Sequence, residues 1–212
     1  MAGIIKYLET GSVDPGYNLA FEEHVLLNRR DAPYLMLWQN DNAVVIGQNQ
    51  NMEAEVDQHF IREHGIRVVR RTTGGGAVYH DLGNLNYSFI ADAKDAGQLT
   101  MERFTLPVVD ALCSLGLDAV ASGRNDISIE GRKVSGTAQR LAEGRVLHHG
   151  TLLFDSDPSM LAGALRVDPQ KFRAKRAKSV RSRVGNIHDF LLREGKDMTL
   201  TQIGRASCRE RV

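Results

Sequence analysis

"IRVVRRTTGGGAVYHDLGNLNYSFIA" occupies residues 66–91, and its reading decides the fold class. Ile66 to Arg70 reads as buried strand, and Ala77 to Tyr79 reads as its resumption beyond the glycines. "LNYSFIA" (85–91) is a further strand. Strand follows strand here, without the helical crossover that a strict βαβ alternation would supply.

The rest of the chain extends that reading. Asp14-Pro15 has the form of an N-cap with a first-turn proline, so a helix is expected from there to about Asn28. "YLMLW" (34–38) and "AVVIG" (43–47) read as strands joined by the turn-rich Gln39-Asn40-Asp41-Asn42. Residues 51–64 read as one helix stopped by Gly65. Phe104, Val108, Leu112 and Leu115 recur at helical spacing before Gly116, and Pro107 places the proper start of that helix near 106. "DISI" (126–129), "KVSGTA" (133–138) and "HHGTLLF" (148–154) are short strands, with Glu130-Gly131 as a tight turn. After Pro158 the chain reads as helical and then strongly basic. The fold class expected is α+β: a mixed, largely antiparallel sheet flanked by helices.

The chain has 212 residues, of which 42% are apolar, enough for one sizeable core. Its formal net charge of +1 offers no global field for nucleic acid, so such a role would need a local patch. No run of 18 apolar residues is present, which argues against a membrane span. MAGIIKYLETGS lacks the apolar core of a secretory signal. Two cysteines, Cys113 and Cys208, make no disulfide framework. Together these features imply a soluble, cytoplasmic protein with no nucleic-acid or membrane partner.

TTGGG combines hydroxyls with backbone that tolerates positive φ and close ligand approach. Successive N–H groups in such a turn form an anion-binding concavity, and Arg70 and Arg71 add cations beside it. These are the parts needed to hold a phosphate or a carboxylate. A flexible hairpin turn is the plainer alternative. No Gly-Lys-Ser/Thr closes the loop and no G-x-G-x-x-G opens a helix, so it is neither a Walker A loop nor a dinucleotide fingerprint.

Three motifs, "RRTTGGGAVYHDLGNLNYSF" (70–89), "SGRNDISIEGRKVSGTAQR" (122–140) and "HHGTLLFDSD" (148–157), resemble those of the lipoate–protein ligase A family. "DPGYNLAFEE" (14–23) and "SVRSRVGNI" (179–187) fit the same pattern, so the resemblance covers nearly all of residues 5–195. It implies a catalytic domain similar to that of biotin protein ligases, here in a C-terminally truncated bacterial member. It also implies ATP-dependent activation of lipoate to lipoyl-AMP with release of pyrophosphate. The lipoyl group would then pass to a lysine of lipoyl domains, in 2-oxoacid dehydrogenase E2 subunits or the glycine-cleavage H protein.

The resemblance assigns residues as well. Arg71 matches an ATP-contacting arginine that also reaches lipoate. Gly74 and Gly75 fall on the acid, and Gly76, Ala77, Val78 and Tyr79 on the nucleotide and acyl site. Lys133 matches the central lysine, in contact with the lipoate carboxylate and the α-phosphate. A carboxylate and an α-phosphate repel each other, so a cation between them has obvious work to do. Asn125 and Asp126 either face the nucleotide, with Asp126 assisting Mg²⁺, or form an ordinary polar turn. Gly136 and Ala138 share one strand face and leave room for an acyl chain. His149 is either a ligand contact or a structural histidine, and His80-Asp81 is expected to pin the end of the glycine loop. "KFRAKRAKSVRSR" (171–183) is a solvated basic face, a nucleic-acid patch or, by the resemblance, a loop that folds over the adenylate.

A thiol-dependent octanoyltransferase of the same fold is the nearest alternative. Cys113 in "DALCSLG" reads as a buried structural cysteine, which disfavours it. A biotin ligase would carry a different glycine–arginine loop. An inactive lipoate-binding fragment is the non-enzymatic alternative. "IGRASCRERV" (203–212) resembles a translated sequencing adapter, so residues 1–202 are expected to form the catalytic domain and residues 203–212 a non-native tail without partners.

Overall fold

The structure, a computed structural model, describes residues 5–93, 100–122, 125–166 and 184–209. Its first half runs β1 (Lys6–Glu9), α1 (Pro15–Asn28), β2 (Tyr34–Trp38), β3 (Ala43–Ile46), α2 (Met52–Glu55), α3 (Gln58–Glu63), β4 (Arg67–Arg70), β5 (Val78–His80) and β6 (Asn84–Asp92). The second half runs α4 (Met101–Ser114), β7 (Ala119–Ser122), β8 (Asp126–Ile129), β9 (Arg132–Ala142), β10 (Arg145–Leu153), α5 (Pro158–Ala164), α6 (Ile187–Arg193) and α7 (Leu200–Arg209).

Seven strands form one sheet in the order β1-β2-β6-β10-β9-β8-β7, and three form a second in the order β4-β3-β5. Every pairing in the large sheet is antiparallel except β1 with β2. Glu130-Gly131 and Glu143-Gly144, all at positive φ, make the two-residue turns that join β8 to β9 and β9 to β10. The α+β expectation, with a largely antiparallel sheet, matches this architecture.

Period-two alternation assigns the faces of the large sheet. Leu85, Tyr87 and Phe89 of β6 point into a core with Phe104, Val108 and Leu112 of α4 and Phe190 and Leu191 of α6. His148 of β10 is buried there, stacked 5.2 Å from Phe104 and 6.3 Å from Tyr87. The opposite face packs Met36 and Ile90 against Val25 and Leu26 of α1. The small sheet has its own core of Val44, Ile46 and Tyr79 with Val56, Leu161 and Ala164.

Helix α1 begins as expected, with Asp14 accepting from Tyr17 N at 2.8 Å. Arg145, fully buried on β10, holds its other end. Its guanidinium donates to the carbonyls of Val25, Arg29 and Ala32, while Nε pairs with Asp92 at 3.1 Å. Among the described residues, no helix is long and apolar enough to cross a membrane.

Several expectations need correction. Residues 51–64 are two short helices, because the backbone at Val56 bridges to Leu165 and Asp57 then caps a new turn through His59 N and Phe60 N. Helix α4 starts at Met101 and runs through Pro107. The proline removes one hydrogen bond, and the buried row Phe104, Val108 and Leu112 outweighs that loss. β5 does not resume β4: β4 pairs parallel on one side of β3, and β5 pairs antiparallel on the other. β4 is itself only half-buried. Cys113 is exposed on the outer face of α4. The expectation that residue 203 onward has no partners also fails at its first position. Ile203 is 1% exposed and belongs to the α4–α6 core, and Gly204 sits against Leu37 and Leu85. The basic stretch 171–183 lies outside the described residues.

Candidate active site

The glycine loop leaves β4 and crosses the open face of the large sheet, and Arg71 braces it from inside. This guanidinium is 7% exposed. Its Nε donates to Thr73 Oγ1 (3.0 Å) and Gly74 O (3.2 Å), one terminal nitrogen donates to Val45 O (3.1 Å), and the other donates to Gly74 O (2.8 Å) and Gly76 O (2.7 Å). Burial pushes Arg71 down from the usual guanidinium range, and the charge of Glu22 counters part of that shift. Arg70 points the other way and gathers the carbonyls of Gly47, Gln48 and Gln50. Gly75 adopts φ +96°, and a Cβ there would meet an Arg71 nitrogen at 2.9 Å. Glycine is therefore required for both its dihedral and its lack of volume.

A buried chain of hydrogen bonds ties this loop to the sheet and to α1. Thr73 Oγ1 lies 2.8 Å from His149 Nε2, and His149 Nδ1 lies 2.9 Å from Glu22 Oε1. Ser88 donates to the same Glu22 oxygen at 2.5 Å and accepts from Trp38 Nε1 at 2.9 Å. With the His149 proton on Nδ1, the donors run in one direction, Arg71 to Thr73 to His149 to Glu22. Glu22 is 1% exposed, so its carboxylate depends on these partners.

Lys133, at the start of β9, extends over Gly136, where an added Cβ would come within 2.8 Å of Nζ. Nζ also lies 2.7 Å from Asp126 Oδ1 on β8. The contact is an ion pair rather than an aligned hydrogen bond, since Asp126 Oδ1 has no hydrogen-bond partner by geometry. Asn125 donates to Thr137 O at 3.0 Å, and Gly136 N donates to Thr151 Oγ1 at 3.2 Å. The backbone around Lys133 is held from outside by its bridge to Val184 and by Gly185 N donating to Lys133 O at 2.9 Å.

These pieces enclose one slot between the two sheets. Arg71, Gly75, Gly76, Ala77, Val78, Asn125, Lys133, Gly136, Ala138 and His149, all singled out in the sequence, line it together. One end is cationic. The middle is walled by Val45, Ala77, Val78 and Ala138, and Leu19 and Trp38 stand at the far end. An elongated anion with an apolar tail fits such a shape.

Three singled-out residues lie elsewhere. Gly74 serves Arg71 through its carbonyl. Tyr79 points into the small-sheet core and donates to Asn42 Oδ1 at 3.1 Å, with burial pushing its hydroxyl up to about 12. Asp126 contacts Lys133 without lining the slot. His80 does not pin the glycine loop, because its Nδ1 meets Asn40 Nδ2 at 3.0 Å, while Asp81 accepts from Gly83 N and Asp157 N. Among the described residues, no group of three or more His, Cys, Asp or Glu forms a metal centre. Cys113 is remote from the slot, its Sγ 3.5 Å from Ala119 O.

Sequence reasoning missed Glu22, Thr73, Trp38 and Asn86 and gave His80 another role. Glu22, Thr73, His80 and Asn86 lay inside motifs that had drawn attention for other residues. They and Trp38 come together from separate elements, and no spacing signals that.

The family model described as the lipoyl protein ligase A/B catalytic domain matches residues 14–210. Lipoate-protein ligase LplJ of Bacillus subtilis is 49% identical over 181 residues, which are 84% of this chain and 54% of that protein. The chain thus spans about half the length of this curated relative. Among solved structures, the bi-partite lipoate protein ligase of Thermoplasma acidophilum, studied with its E2 lipoyl domain, is 37% identical with a TM-score of 0.85. That match covers 99% of this chain and 82% of the other. A lipoate-protein ligase A bound with ATP is 32% identical with a TM-score of 0.80, over 99% of this chain and 84% of the other. Biotin protein ligase of Aquifex aeolicus, 13% identical with a TM-score of 0.51 over 97% of this chain and 66% of the other, shares the fold alone.

Proposed function

Because this chain belongs to the lipoyl protein ligase A/B catalytic-domain family, we propose that it carries the catalytic site of an ATP-dependent lipoate–protein ligase. The observation that carries this reading is the slot itself, with Lys133 at one end beneath a glycine loop and apolar walls leading away from it. The lipoate carboxylate attacks the α-phosphorus of ATP, and pyrophosphate leaves. A lysine amine of a lipoyl domain then attacks the acyl carbon of lipoyl-AMP, and AMP leaves.

Lys133 supplies the charge that lets two anions meet, and it faces the charge that develops on the non-bridging oxygens. Asp126 holds its ammonium near Gly136 until those oxygens take over. Arg71 acts mainly through the loop. Its donors are committed to Thr73, Val45, Gly74 and Gly76, so it fixes the backbone around the acid rather than reaching out as a free fork. Gly75, Gly76, Ala77 and Val78 then present backbone and small side chains to the acid and nucleotide. His149 touches the slot from the buried chain that steadies Thr73.

Asp126 offers one carboxylate beside Asn125, which suits a Mg²⁺ that keeps waters and arrives with phosphates rather than one needing a dedicated cage. When bound, the ion would neutralise phosphate charge. E2 lipoyl domains and the glycine-cleavage H protein are the proposed acceptors, with the reaction placed in the cytoplasm. Among the described residues thiol-based acyl transfer has no support, since the exposed Cys113 lies away from the slot.

The test combines the protein with ATP, Mg²⁺ and lipoate, follows pyrophosphate, then adds an apo lipoyl domain and weighs it. Lipoate-dependent pyrophosphate and an acceptor heavier by one lipoyl group are expected. No pyrophosphate from the folded protein would overturn the reading.

A further inference from the structure

Two side chains that can only donate fix every proton in the buried chain beneath the glycine loop. Arg71 Nε donates to Thr73 Oγ1, so the Thr73 hydroxyl proton goes to the other partner of that oxygen, His149 Nε2, 2.8 Å away. Nε2 therefore accepts, and the ring proton sits on Nδ1, facing Glu22 Oε1 at 2.9 Å and Oε2 at 3.1 Å. From the other side Trp38 Nε1 donates to Ser88 Oγ at 2.9 Å, so the Ser88 hydroxyl donates in turn to Glu22 Oε1. Both runs of donors end on one carboxylate oxygen. Reversing either run would leave a buried proton without an acceptor.

Glu22 also balances charge. Each hydrogen bond of the Arg71 guanidinium ends on a neutral oxygen, and the opposing negative charge comes from Glu22. Neither Glu22 nor Thr73 lines the slot, and each is 1% exposed. Glu22 therefore reaches the site only through its neighbours. What it holds at the far side of His149 and Thr73 is Arg71, whose guanidinium takes the carbonyls of Gly74 and Gly76 and so shapes the stretch from Gly75 to Val78 along the slot.

We propose that Glu22 is a positioning residue for adenylate formation: as the shared acceptor it fixes the His149 tautomer, and through Thr73 and Arg71 it holds the glycine loop in the geometry the reaction needs. The inference rests on the lipoate-ligase reading and adds to it a residue that does not touch the ligands. Glu22→Gln keeps the size of the side chain but replaces one oxygen by a donor. With the amide oxygen on Ser88, the amide nitrogen faces His149 Nδ1. The ring proton must then move to Nε2, where it points at Thr73 Oγ1, and the Thr73 hydroxyl loses its acceptor. Arg71 loses its counter-charge in the same step, so the brace of the loop is loosened from behind.

The test compares the wild type, Glu22→Gln, Thr73→Val and the double variant, with thermal melts alongside. Two quantities are read: lipoate-dependent pyrophosphate release at saturating ATP and lipoate, and the imidazole nitrogen NMR signals of His149, assigned against His149→Asn. The wild type should carry the ring proton on Nδ1, and Thr73→Val should keep it there, whereas Glu22→Gln should move it to Nε2. Each single variant should slow release about 10–100-fold, the scale of a small misplacement of reacting groups. The double variant should fall well short of the product of the two losses, because both changes cut one chain. A proton on Nε2 in the wild type, near-normal release from folded Thr73→Val, or losses that simply multiply overturns this inference and leaves the ligase reading standing. The first two of these results do not need a folded Glu22→Gln protein. No lipoate-dependent release from the folded wild type overturns the ligase reading, and the positioning role with it.

Discussion

Replacing Lys133 by alanine should separate catalysis from folding. The ammonium is 37% exposed and its partner Asp126 34% exposed, so solvent screens their attraction. Such a pair contributes at most about 1 kcal/mol to stability, and the melting temperature should move by only a few degrees. In the reaction the same charge faces two anions inside a slot, where losing one electrostatic contact of this kind typically costs about 10²–10³ in rate. Asp126 then adds to the loss, because it stands uncompensated where the phosphate must arrive. The double variant Lys133→Ala with Asp126→Ala should therefore recover part of the activity, a coupling that additive effects would not show. Lipoate-dependent pyrophosphate release measures all four members of the cycle. Near-normal release from folded Lys133→Ala protein would refute the role given to Lys133, and strict additivity would refute the holding role given to Asp126.

Gly75→Val should weaken lipoate binding at least tenfold in a calorimetric titration, because φ +96° and an Arg71 nitrogen 2.9 Å from the added Cβ both oppose a branched residue; unchanged affinity would reduce the loop to a simple turn. His80 and His148 are both held neutral by burial, their pKa values lowered to about 3 from an ordinary 6.5. The unfolded chain therefore binds more protons below about pH 6.5, and stability present above that pH should fall by up to about 2–3 kcal/mol per pH unit as pH drops toward 3. Urea unfolding at pH 7, 6 and 5 checks this, and a flat profile would show that the rings are not kept neutral. Ile203→Ala should cost about 2–4 kcal/mol in the same assay, as for a buried aliphatic truncation; a loss below about 0.5 kcal/mol would restore the expectation of an unpacked tail.

Local chemistry made most elements legible. Asp14-Pro15 announced α1, Glu130-Gly131 announced a tight turn between strands, and the stretch 85–91 read as the strand that is β6. What failed to show was long-range. Nothing near Val56 signals a bridge to Leu165, and nothing in residues 66–80 tells that the two strands flank β3 instead of continuing each other. The same divide runs through the site. Gly136 and Ala138 share one strand, so their common face follows from spacing; Lys133, three residues before Gly136, reaches it across a bulge where Ile127 pairs with Ser135 and Ser128 with Lys133, which no spacing shows. Glu22, Thr73, Ser88 and His149 meet from a helix, a loop and two strands, and only the folded chain brings them within hydrogen-bonding distance. Cys113 was misplaced because helical period names the buried row without saying how far its neighbours turn outward.

Arg145 gives the architecture a lever remote from the chemistry. Its forked head fastens the last turn of α1 to β10, and about one to three turns earlier the same helix presents Glu22 to His149 and Leu19 to the slot. A helix of this length behaves as a stiff rod, so loosening one end tilts the other. Lysine at 145 would keep the charge but lose the fork. Its first symptom should be poorer fit at the acyl end, seen as a raised KM for the acid, with ATP affinity little changed. Substitutions that shape ligand choice can therefore lie on the strand that anchors the helix, well outside any list of residues that touch the ligand.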